Sequence, residues 1–145
     1  MSENYFTHRD WIYLIGLALT VCFFLWRLRV DTRFSTYRET ISYLEKRSDD
    51  LKQLWSKIKL GKSGDDEINQ FFGELDQIAL LVNKKGFYNE LVYNYCWIYF
   101  YHPLVLPEVK SVFDSERRLD KAVYENYKNL CDKWRPRILR EQGYA

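Results

Sequence analysis

Cysteine and histidine are scarce, and what remains forms no chemical set. Cys22, Cys96 and Cys131 are odd in number and irregular in spacing, which argues against a disulfide framework and suits a reducing compartment. His8 and His102 lie far apart in the chain, so no metal-ligand spacing forms and no Glu-x-x-His pair exists for a di-iron site. Serine or cysteine in a nucleophile motif is missing, as is a glycine-rich phosphate loop. Gly61-Lys62-Ser63-Gly64 contains G-K-S, the tail of such a loop, but the upstream glycine is absent and a helical pattern precedes it; it reads as a turn. Glu74 and Asp76 stand two apart on a helical pattern, so they point to different sides and form no dyad; a solvated helix face accounts for them. The expectation is a protein that is not an enzyme, with no cofactor, metal or small-molecule substrate. A net charge of only +2 supplies no field that would demand a nucleic-acid partner.

Breakers are also missing from a long early stretch. No glycine or proline occurs between Gly16 and Gly61, so nothing interrupts a helix there. Its first part, WIYLIGLALTVCFFLW from Trp11 to Trp26, is sixteen residues without a charge. A bilayer core of ~30 Å needs ~20 residues of helix, and the flanks supply the remainder. Trp11, Tyr13 and Trp26 fall where aromatic rings settle at the two interfaces. Arg27 and Arg29 can extend toward headgroups, leaving Leu28 and Val30 to lengthen the apolar face. A cleaved signal is disfavoured because MSENYFTHRD is mixed in charge and the run ends in bulky FFLW. A lipoprotein signal fits poorly, since Cys22 follows Val21 in mid-run. A buried core helix is the strongest competitor, although one apolar on every face is unusual in so small a chain.

Arg9 is the only base in the first ten residues, whereas Arg27, Arg29, Arg33 and Arg38 crowd the twelve after Trp26. The positive-inside rule then predicts residues 1–10 as an extracytoplasmic tail, 11–30 as a single transmembrane helix, and the remainder as cytoplasmic. Residues 31–60 repeat with a heptad at Phe34, Tyr37, Ile41, Leu44, Ser48, Leu51, Trp55 and Ile58. Only Ser48 interrupts this apolar seam. It packs within the chain or against a second copy; two bulky aromatics and a serine favour the former.

Residues 61–145 predict a small helical bundle, making the fold class all-α: one N-terminal transmembrane helix running into a long linker helix of about 49 residues in all, then a cytoplasmic bundle. Acids at Asp65, Asp66 and Glu67 open one helix, Ile68, Phe71, Phe72, Leu75, Ile78, Ala79 and Val82 form its apolar face, and Lys84, Lys85 and Gly86 end it. Phe87 to Pro103 is rich enough in aromatics to suggest a strand or a second span, but Asn89, Glu90 and Asn94 favour a helix covered through Leu91, Tyr95 and Ile98 together with Val92, Cys96 and Tyr99. A short helix follows Pro107. Asp114 or Ser115 then caps a last helix with Leu119, Val123, Tyr127, Leu130 and Trp134 inward, stopped or kinked at Pro136. Tyr93, Trp97, Tyr101, Lys133, Trp134, Arg135 and Arg137 are the candidates for a face toward a partner or lipid; the run Lys133 to Arg137 interleaves bases with an aromatic, which can hold anionic groups.

The order of anchor, long helix, FFGELDQIALLVNKKG, YNELVYNYCWIYFYHP and a basic last helix resembles a family of uncharacterised bacterial membrane proteins in which one span carries a small all-helical cytoplasmic domain. The resemblance covers residues 65 to 140. It implies an accessory or regulatory role, sometimes beside phage-defence genes, and brings no catalytic residue. Two functions follow as expectations. One is a tether that holds a protein-binding domain at the lipid bilayer; the other is a homo-oligomeric, pore-forming or membrane-perturbing effector gated by its cytoplasmic domain.

Overall fold

The computed structural model describes residues 8–143; the tail expected outside the membrane, apart from its last residues, lies outside the described residues. Every regular element among the described residues is helical. Helix α1 runs His8–Lys59, α2 Asp65–Asn83, α3 Asn89–Tyr101, α4 Pro107–Leu119 and α5 Glu125–Gln142, with a single 3-10 turn at His102–Leu104. Two compact units result, one ending at Ser35 and the other beginning at Thr36.

The first unit is the apolar start of α1. The whole of α1, 52 residues, contains no proline to interrupt it. Thr20, within the apolar run, and Thr32, just past it, turn their hydroxyls onto the carbonyls of Gly16 and Leu28 one turn earlier; for Thr20 this satisfies a donor that lipid or an apolar surface would leave unpaired.

The second unit closes around one aromatic core. Leu44, Leu51, Trp55 and Ile58 of α1 meet the seven buried positions of α2, which are those its periodicity selects: Ile68, Phe71, Phe72, Leu75, Ile78, Ala79 and Val82. Trp55 stacks on Phe71 at 5.8 Å, and Phe72 touches the rings of Phe113, Tyr124 and Tyr127 at 5.0 to 5.5 Å. Rings in offset and edge-on pairs add specificity to the area they bury.

Four details differ from the sequence reading. In α3 the covered face is Val92, Tyr93, Cys96 and Phe100, whereas Tyr95 is 55% exposed. The face is rotated because tyrosine has an apolar body and a polar tip, so pattern alone cannot choose between Tyr93 and Tyr95. Asp114 and Ser115 sit inside α4, which begins with Pro107 in its first turn, a position where a missing N–H costs nothing. Leu119 is 83% exposed at the end of α4, and residues 120–124 form the link before α5, with Asp120 Oδ1 accepting the Ala122 N–H at 2.8 Å. Pro136 lies within α5 without ending it; Asp132 and Pro136 both face solvent, so water can serve the Asp132 carbonyl that proline cannot reach.

The α2–α3 turn closes with the Gly86 N–H on Leu81 O at 2.8 Å and the Lys85 N–H on Val82 O at 3.0 Å. This is a Schellman arrangement. Its left-handed residue is Lys85, at φ 58°, and not Gly86.

Candidate functional site

No residue of the candidate anchor's apolar window is buried. One helix near the N-terminus is long and apolar enough to cross a membrane: its best window has a mean hydropathy of 1.9 and is 0% buried. Trp11, Tyr13 and Trp26 are each more than half exposed. Arg27 lies 4.0 Å from Asp31 one turn on, with both side chains largely in solvent, so this pair contributes little stability; Arg29 is also exposed.

Along the seam the two units are separate cases. Phe34, in the first unit, is 62% exposed. In the second unit Leu44, Leu51, Trp55 and Ile58 are core residues, Ile41 is half-buried, and Tyr37 is 41% exposed with its ring edge-on to Tyr88 at 5.9 Å. Thr40 is the one fully buried polar residue beside this seam. Its hydroxyl donates to Thr36 O at 2.7 Å and accepts the Tyr88 N–H at 3.0 Å, so it fastens α1 to the residue just before α3. No periodicity marks that role.

The proposed partner face breaks up on inspection. Tyr93 and Trp134 are 2% and 3% exposed and are unavailable to a partner or to lipid; their rings meet at 5.2 Å, and Trp134 Nε1 donates to Asn89 Oδ1 at 3.1 Å. Arg137 is bound within the unit. Its guanidinium lies 3.8 Å over the Tyr93 ring, reaches both oxygens of Glu90 at 2.8 to 2.9 Å, and bonds Glu141 at 2.8 Å. The Tyr93 hydroxyl donates to Glu141 Oε2 at 2.8 Å. Burial first, and then that bond and the carboxylate charge, push the Tyr93 phenol up to about 12, while Arg137 and Tyr93 hold Glu141 below the usual carboxylate range. Trp97 and Tyr101 are half-buried against the core. Only Lys133 and Arg135 of the basic cluster stay exposed.

The acidic pair on α2 also does more than meet solvent. Glu74 is bonded to Arg47 of α1 at 3.1 Å. Asp76 reaches across to α5, taking the Tyr127 N–H at 2.8 Å and the Asn126 amide at 3.2 Å. Tyr124, which precedes α5, is left-handed and supplies no side-chain cap; Asp76 fills that place from another helix. At the other end of α3, the Phe100 carbonyl, in the last turn, accepts the Tyr127 hydroxyl at 3.0 Å and the Cys131 thiol at 3.1 Å.

Two depressions mark the surface of the second unit. A broad groove is lined by Arg38, Glu39, Ser42, Tyr43, Lys46 and Phe87, with the Tyr43 and Phe87 rings 5.0 Å apart as its floor. A cavity of about 180 Å³ lies between the end of α3, the turn after it, and α5. Among the described residues, no three His, Cys, Asp or Glu side chains gather into a metal-binding group. No protein-family model matches the chain, and no significant match is found to curated proteins or to solved structures.

Proposed function

We propose that the protein is a single-pass inner-membrane tether, with its N-terminus outside and a cytoplasmic helical bundle that binds a protein partner at the bilayer surface. One observation carries this reading: no residue in the apolar window of α1 is buried, while the second unit has its own closed core. A core helix would have its apolar face buried by the rest of the chain; this one has the length and composition to use lipid for that purpose. The arginines after Trp26 favour retention of the bulk in the cytoplasm. The mechanism is concentration. Confinement to a thin layer raises the encounter rate with membrane-bound partners without any added contact. The open groove at Tyr43 and Phe87, lined also by Arg38, Glu39, Ser42 and Lys46, offers a partner two aromatic rings flanked by charges of both signs.

The experiment compares three versions in cells by proximity labelling from the second unit: the native chain, one with Trp11 to Trp26 replaced by an unrelated span, and one lacking residues 1–30. A tether gives the same labelled proteins for the first two and loses them in the third. If the unrelated span also loses them, at equal expression and topology, the side chains of the span matter and the oligomeric effector becomes the better reading. Exposed Phe34 favours that alternative, since a second copy would cover it.

A further inference from the structure

The cavity between the end of α3 and α5 has a chemistry that the tether does not use. Four of its lining residues come from α5, namely Cys131, Arg135, Ile138 and Leu139, spaced so that they share one helical stripe. The opposite wall is Phe100, Tyr101, Leu104 and Val105. The polar groups at its base are already engaged, because the Phe100 carbonyl takes both the Tyr127 hydroxyl and the Cys131 thiol. Beyond the Tyr101 phenol, which also lines the cavity, what remains is apolar apart from one charged group. Val105 stays 58% exposed at the edge, and Leu104 and Leu139 are half-buried.

The exception is Arg135. Its neighbours on α5 are spoken for, Asp132 by Lys128 at 2.7 Å and Arg137 by Glu90 and Glu141, but Arg135 makes no ion pair among the described residues. No carboxylate lines the cavity. A guanidinium in this position can pair bidentately with a carboxylate. At about 180 Å³ the space is comparable with the ~150 Å³ apolar cavity that accepts benzene, which limits an occupant to one ring or one short aliphatic tail.

We propose that this cavity binds a small apolar carboxylate, with its tail against Leu104, Val105 and Ile138 and its carboxylate on Arg135. The proposal is independent of the tether, since it concerns the second unit alone.

The test uses the full-length protein in nanodiscs of zwitterionic lipid, with methyl NMR of leucine and valine and two probes, hexanoate and hexanol. Hexanoate moves the Leu104 and Val105 signals. Arg135→Gln, at an exposed site, weakens hexanoate about three- to fivefold, the upper end for a solvent-screened ion pair, and brings it to the level at which hexanol binds the native protein. Val105→Trp, which closes the mouth from an exposed position, abolishes binding of both. Unmoved Leu104 and Val105 signals would overturn the proposal, as would unchanged affinity in Arg135→Gln or hexanol binding as tightly as hexanoate. Binding of a short peptide with a free C-terminal leucine, without binding of hexanoate, would also overturn it, in favour of a protein terminus.

Discussion

Asp76→Ala removes the cap that α5 borrows from α2. The carboxylate accepts the Tyr127 N–H at 2.8 Å and the Asn126 amide at 3.2 Å. Tyr127 is fully buried, so its N–H has no water to fall back on. Losing a helix cap costs about 1 kcal/mol, and the missing charge at the positive end of α5 adds roughly 0.5 kcal/mol. The donor left unpaired is buried, which adds about 1 kcal/mol, the low end of that penalty because the cap loss already counts part of it, and brings the sum to about 2.5 kcal/mol. Asp76→Asn keeps an acceptor for Tyr127, and the Asn126 amide can turn to match it, so only the charge is lost, about 0.5 to 1 kcal/mol. Glu74→Ala, two residues away, breaks a partly exposed pair with Arg47 and costs under about 1 kcal/mol. Urea unfolding of the full chain in mild detergent, followed by near-ultraviolet dichroism of the aromatic core, gives the three midpoints; the slopes should agree. An Asp76→Ala loss below about 0.5 kcal/mol, or one equalled by Asp76→Asn, would refute the cap.

Trp55→Ala should cost roughly 3 to 5 kcal/mol, because the indole stacks on Phe71 and meets Tyr99 edge-on; stability that depends on protein concentration in this variant would indicate packing between copies. Lys85→Gly should stabilise by about 0.5 kcal/mol, since relief of ~1 to 2 kcal/mol in the left-handed region exceeds the added chain entropy of glycine; a loss on denaturation would contradict the φ of 58°. Stability should fall as pH rises from about 9 towards 12. Burial pushes the Cys96 and Cys131 thiols up to about 12, and Tyr93 likewise, from ordinary values of 9 and 10. The unfolded chain therefore gives up these protons first, and stability fully present below pH 9 drains away through that window. Cys96→Ala should shallow the decline in a pH series of urea midpoints.

What the sequence makes legible is periodic and local. The buried face of α2 can be read position by position because its large apolar residues recur at helical spacing among acids and amides. The aromatic helix α3 offers no such contrast, since Tyr93, Tyr95, Tyr99 and Tyr101 are chemically alike; only packing against α5 selects Tyr93. The α4–α5 break contains no glycine or proline, so by spacing alone Leu119 and Val123 continue one stripe. Thr40 and Asp76 act across 48 and 51 residues of chain, and bonds at that separation leave no mark in the neighbouring sequence. Arg137 reads as a surface base until Glu90, Tyr93 and Glu141 are brought around it.

The proposed tether requires that α1 cross the membrane and that the second unit lie in the cytoplasm. The direct measurement places two reporters in turn after Gln142, one active only outside the cytoplasm and one only within it, and reads both in intact cells. A tether leaves the outside reporter silent and the inside reporter active, and both fusions sediment with membranes. An active outside reporter, or a fusion that stays in the soluble fraction, would contradict it.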